Sequence, residues 1–205
     1  MGKKWLLTQV FTMTMAALFI TTAAASPAQH TKGQVQLNSP SARNARQIEA
    51  LKEEVRHQLV TLPYYNVFDW LQAEVKPDMT VTLLGQVTRP TTKDDAEARV
   101  RNLESVKRVI NHIEVLPLSP MDDQLRIALY RAIFRFDSPL FRYATQAVPP
   151  IHIIVNNGHV TLKGIVQNQS DSQLAYMAAQ GVPGVFEVNN ELQVEERTGE
   201  KISSR

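Results

Sequence analysis

The chain contains no cysteine. No disulfide can staple it, and no lipid-modified cysteine can tie it to a membrane. None of its 8 glycines falls in a P-loop, a dinucleotide fingerprint or a nucleophile elbow. A charge excess is missing too, once the first 25 residues are set aside. The whole chain has 22 Lys+Arg against 20 Asp+Glu, but Lys3 and Lys4 supply the difference, so residues 26–205 are formally neutral. That balance gives no support to nucleic-acid binding. The one long apolar run, Trp5 to Ile20, is short for a membrane span and is broken by Thr8, Gln9, Thr12 and Thr14.

That run sits in an export signal. Lys3 and Lys4 form a positive start, and Ala23-Ala24-Ala25 offers small residues for cleavage before Ser26. Residues 1–25 are therefore expected to be a cleavable signal peptide that delivers the chain to a bacterial periplasm; an uncleaved membrane anchor is the alternative. Residues 26–45 are polar, contain prolines and lack periodicity, so they are expected to be a flexible leader.

Beyond the leader, one pattern occurs twice. Val81-Thr82-Leu83-Leu84-Gly85-Gln86-Val87 returns 79 residues later as Val160-Thr161-Leu162-Lys163-Gly164-Ile165-Val166. At the same offset Ala96 matches Ala175, Val106 matches Val185, Val109 matches Val188, Asn111 matches Asn190 and Val115 matches Val194. An ungapped match with the hydrophobic phase preserved means two copies of one small domain.

In the first copy Ile48, Leu51, Val55, Leu59 and Leu62 form a helical stripe, ended by Pro63. Leu71, Ala73 and Val75 alternate as a strand, and Lys76-Pro77-Asp78-Met79 turns into the Val81–Val87 strand. Thr92 to Asp95 reads as a helix start, with Ala96, Val100 and Leu103 inward, and Val109 to Val115 as the last strand. The second copy repeats the order. Its first helix is expected over Asp122–Phe136, with Leu125, Leu129, Ile133 and Phe136 inward. A connection comes next over 137–150, then a strand from Ile151 to Val155 and an Asn157-Gly158 hairpin turn. Ser170 or Asp171 should cap the second helix, which Pro183-Gly184 closes. The fold class is α+β: two tandem αββαβ domains, each a three-stranded mixed sheet covered on one face by two helices. The boundaries are domain 1 at 46–116, a Pro-rich linker at 117–121, domain 2 at 122–196 and a frayed tail at 197–205. Units this small build modest cores, so contact between the copies is expected to matter for stability.

The stretch Gly158-His159-Val160-Thr161-Leu162-Lys163-Gly164-Ile165-Val166, with the later Gly184-Val185 and Val188-Asn189-Asn190-Glu191-Leu192, resembles the BON domain family. The first copy departs from the pattern at Met79-Thr80 and at Ser105. The resemblance implies a three-stranded sheet packed by two helices, a place in the bacterial envelope, binding to phospholipid or other envelope surfaces, and no catalytic residues.

Candidate sites are few. Gly85 and Gly164 are read as structural, clearing space for a helix, and Gly158 and Gly184 as turn glycines. His152 and His159 lie on one hairpin, but Lys163 stands opposite His152 and no acid completes a metal site. Solvent-facing histidines are expected, with neither metal nor cofactor. One face stands out. The outward side of the first copy's opening helix carries Lys52, Glu53, Arg56, His57 and Val60, which suits water. In the second copy that side carries Ile127, Tyr130 and Phe134 among Arg126, Arg131 and Arg135, with Phe141 and Arg142 just beyond. A helix apolar on two sides must cover something on both. Burying those three side chains is worth roughly 5–9 kcal/mol as an upper bound. The partner is either an anionic phospholipid membrane surface, met by aromatics and arginines, or a protein surface, namely the first domain or an envelope protein.

Overall fold

A computed structural model describes residues 39–146 and 148–195. In order the elements are α1 (Pro40–Val60), β1 (Trp70–Val75), β2 (Thr80–Val87), α2 (Pro90–Arg101) and β3 (Arg108–Val115). Then come α3 (Pro120–Ile133), α4 (Phe141–Ala144), β4 (Ile151–Asn156), β5 (His159–Val166), α5 (Gln169–Gln180) and β6 (Glu187–Val194). Two three-stranded sheets result, ordered β1-β2-β3 and β4-β5-β6. In each the first pair is antiparallel and the second parallel, as the αββαβ reading requires.

The repeat holds in register as well as in sequence. Val81 stands beside Val109 as Val160 stands beside Val188. The doubled asparagine does the same work in both copies. Asn111 Nδ2 donates to the Lys93 carbonyl at 3.3 Å and Asn190 Nδ2 to the Ser172 carbonyl at 3.3 Å, each pinning the second helix to the last strand. The first core gathers Leu51, Val55 and Leu59 of α1 over Val81, Leu83 and Val87 of β2 with Ala96 and Val100 of α2. The second gathers Leu125, Leu129 and Ile133 of α3 over Ile153, Val155, Val160 and Leu162.

Several boundaries differ from expectation. Helix α1 begins at Pro40, not near Arg46, because Ser39 caps it by accepting the Ala42 amide at 3.2 Å. The proposed signal (1–25), most of the leader and the tail lie outside the described residues. Helix α2 starts at Pro90 instead of Thr92, and Asn168 caps α5 in place of Ser170 or Asp171. The 137–150 connection contains the one-turn α4. Helix α3 stops at Ile133, and this exchanges two phenylalanines. Phe134 turns inward and is 5% exposed, whereas Phe136, expected in the core, is 86% exposed.

The strand glycines also have a different reason from the one anticipated. Gly85 and Gly164 have φ of 129° and 123°, which L side chains rarely adopt. A Cβ at either would lie 1.9 Å from the Trp70 carbonyl oxygen or 2.0 Å from that of Pro150. The glycine admits the neighbouring strand's backbone and not a helix.

Candidate interaction surface

Helix α3 is fastened to its own domain at its start. Ser119 accepts the Asp122 amide at 3.2 Å, and the buried Asp122 carboxylate accepts the amides of Asn157 at 2.9 Å and Gly158 at 3.0 Å. The β4–β5 hairpin turn is thus held by the helix. Arg126 is buried; it donates to the Val155 carbonyl at 2.8 Å and to Asp123 at 2.5 Å. It is a strut inside domain 2 and offers no charge to a surface.

The apolar stripe is divided between two environments. Ile127 is 47% exposed, Tyr130 38% and Phe134 5%. The Tyr130 ring packs on Phe134 with centroids 5.0 Å apart, and Phe68 from the first copy meets Tyr130 edge-on at 6.4 Å. Phe68 belongs to the connection between α1 and β1, which wraps the free edge of β4. Val67 is buried in the second copy's core, and its carbonyl accepts the Ile153 amide at 2.8 Å. An edge strand left open invites foreign pairing; here the first copy occupies it.

On the opposite side of β4 the same connection closes over His152. Its ring is 3% exposed and lies between Tyr65, at 5.4 Å, and Trp70, at 5.1 Å. The expectation of a solvent-facing histidine is therefore wrong, because Tyr65 and Trp70 cover it from a part of the chain about eighty residues away. His159 is exposed, with Nδ1 3.4 Å from Glu187. Among the described residues no three His, Cys, Asp or Glu side chains converge on a metal position.

The wrapping segment keeps its shape through buried Asp69. Its carboxylate accepts the Thr88 amide at 2.7 Å, the Thr88 hydroxyl at 2.9 Å and the Asn66 amide at 3.2 Å. Burial nevertheless raises its pKa, outweighing those hydrogen bonds. Burial likewise pushes the Tyr65 hydroxyl upward and depresses His152. The aromatic-rich run Tyr64-Tyr65-Asn66-Val67-Phe68-Asp69-Trp70 is the sequence feature that makes this contact, and it has no periodicity that names its partner.

At the far end of α3 the surface opens. Arg131 is exposed, and Arg135 pairs with Asp137 at 2.6 Å, both side chains largely exposed. Phe136 stacks edge-on with Phe141 at 5.1 Å. Arg142 is not free: it lies 4.9 Å over the Tyr143 ring and pairs with Asp171, which also accepts the Tyr143 hydroxyl at 2.6 Å. Ile127, Tyr130, Arg131, Arg135 and Phe141 are thus joined by Phe136, while Arg126, Phe134 and Arg142 serve the fold. Near the start of α3, Met121, Leu125, Ala128, Pro183, Gly184 and Phe186 line a separate open groove of about 760 Å³.

Compared with protein families, the chain matches the BON domain at residues 47–117 and again at 142–196. The chain belongs to the BON domain family. BON domain proteins are typically exported or periplasmic, and the family is generally non-catalytic. Among the described residues no helix is long and apolar enough to cross a membrane. The second BON match begins after α3, so the helix that distinguishes the two copies lies outside it. No curated protein matches the chain. Among solved structures it is similar to the C-terminal domain of CdsD, the structural protein of the type III secretion system of Chlamydia trachomatis. That likeness is at 12% identity over 70% of this chain and 96% of that one, with a TM-score of 0.26. A second CdsD structure gives 13% identity over 71% and 92%, with a TM-score of 0.27. Scores this low carry no weight for function.

Proposed function

We propose that this BON protein is a non-enzymatic periplasmic module, exported by a signal peptide cleaved after Ala25, that associates with anionic phospholipid at the envelope and serves under osmotic or envelope stress. The observation that carries the membrane reading is the exposed half of α3 and its exit. Ile127 and Tyr130 lie along one stripe with Arg131, and just past the end of the helix Arg135 and the nearly bare Phe136 are exposed as well. Apolar side chains at acyl-chain depth beside arginines at phosphate depth are the composition of an interfacial contact. Among the described residues Arg131 has no ion-pair partner, which leaves its charge available to a phosphate. The stress role rests on family membership alone.

The test is co-sedimentation of the exported protein with phosphatidylglycerol vesicles against phosphatidylcholine vesicles. Binding to the first and not the second is expected, with loss in Ile127→Asp plus Phe136→Asp at unchanged melting temperature. Undiminished binding by that double variant would sink the proposed surface. A second reading, a protein–protein adaptor, is favoured by Phe68 on Tyr130 and by the burial of Phe134. It expects no vesicle binding and a folded unit that comes apart when Phe68 is removed.

A further inference from the structure

The covering of α3 and the burial of His152 are two ends of one clasp. Residues Tyr65 to Trp70 reach around β4, with Phe68 against Tyr130 on the helix side and Tyr65 and Trp70 against His152 on the other. We propose that His152 is a pH-sensitive latch: its protonation releases this segment from the second copy and uncovers Tyr130. The inference rests on the membrane reading above only for what the uncovered face then meets.

The physical case is the room available for a charge. His152 Nε2 lies 3.5 Å from the Tyr65 hydroxyl, and its buried Nδ1 has no hydrogen-bond partner. A neutral imidazole needs one donor and one acceptor contact, whereas an imidazolium has two N–H groups to satisfy and a charge to solvate. The groups facing the ring supply little. From the connection comes Asp69, whose carboxylate is already occupied by Thr88 and Asn66. From β1 comes the uncharged Trp70 ring. From β5 comes Lys163, opposite His152 in register and paired with Glu191 of β6 at 2.6 Å. The carbonyls of Asp69, Asn66 and Pro149 favour the charged form, but burial outweighs them. Ring faces return only part of the cost of desolvating a cation. Moving Tyr65 and Trp70 away restores water to the ring at the expense of contacts that also hold Phe68 in place.

The absence of cysteine makes a direct readout available. In the full exported chain carrying Val67→Cys, the thiol is reacted with an uncharged maleimide at pH 7.5 and 5.5. Each rate is divided by that of the same protein in urea at the same pH. The relative reactivity is expected to rise several-fold, to a ceiling of about tenfold, on acidification, and to stay flat when His152→Phe, or His152→Gln should the former not fold, is added. Asp69 cannot imitate the effect, because a carboxylate with a raised pKa gains stability on acidification. Equal protection at both pH values, or an equal rise in the His152 variants, overturns the latch. Phosphatidylglycerol vesicles are added in a parallel arm. An opening thiol without added vesicle uptake leaves the latch standing and counts against the membrane reading. Vesicle uptake that rises on acidification while the thiol stays protected counts against the latch alone.

Discussion

Val67 and Ile153 are 86 residues apart in sequence, yet the Val67 carbonyl accepts the Ile153 amide at 2.8 Å. In a sheet ordered β4-β5-β6, strand β4 is an edge, and Ile153 would otherwise present its N–H to solvent. This bond ties the first BON domain to the sheet of the second. It also explains why the apolar stripe of α3 is half covered: the segment that supplies the carbonyl supplies Phe68 next in line.

Removing that side chain tests the covering energetically. Phe68→Ala deletes a half-buried aromatic and its edge contact with Tyr130, and should lower stability by about 2 kcal/mol. Phe136→Ala, at a nearly bare position, should change stability by less than about 0.5 kcal/mol. Urea unfolding of both variants checks the contrast.

The pH dependence of stability has a definite sign. His152 has a folded pKa below its ordinary value of 6.5 because burial disfavours the imidazolium. Its contribution is fully present above that value and is lost as pH falls toward the folded pKa, at up to about 1.4 kcal/mol per pH unit. Stability measured by urea unfolding from pH 7.5 to 5.5 should therefore decline, and His152→Phe should flatten the decline.

Gly164→Ala places a methyl against the Pro150 carbonyl and forces a left-handed backbone on alanine. A loss of at least about 2 kcal/mol is expected, and Gly85→Ala should match it because Trp70 stands where Pro150 does. Thermal melts of the pair test whether the repeat is energetic as well as geometric.

Much of this architecture was legible in the chain. The doubled Val-Thr-Leu-x-Gly strand and the alternation around it gave both three-stranded sheets and the alignment of the two copies, because these depend on residues close in sequence or on strict periodicity; the matched asparagines marked the last strands but not their ties to the helices. The seam was not legible. Tyr65, Phe68 and Trp70 have no local periodicity that points to a partner, and only the fold brings them to His152 and Tyr130. Phe134 and Phe136 exchanged places for a smaller reason. Helix α3 ends one turn early, and past its last residue the 100° step that assigned the faces no longer applies.

The first copy occupies the β4 edge and thereby covers half of the α3 stripe. Hydrogen exchange at the Ile153 amide tests it most directly, since that N–H faces away from β5 and has the Val67 carbonyl as its acceptor. In the intact protein at neutral pH it should exchange as slowly as the core amides of β5, and Phe68→Ala should accelerate it. Exchange at the rate of an open edge amide in the intact protein would contradict the account.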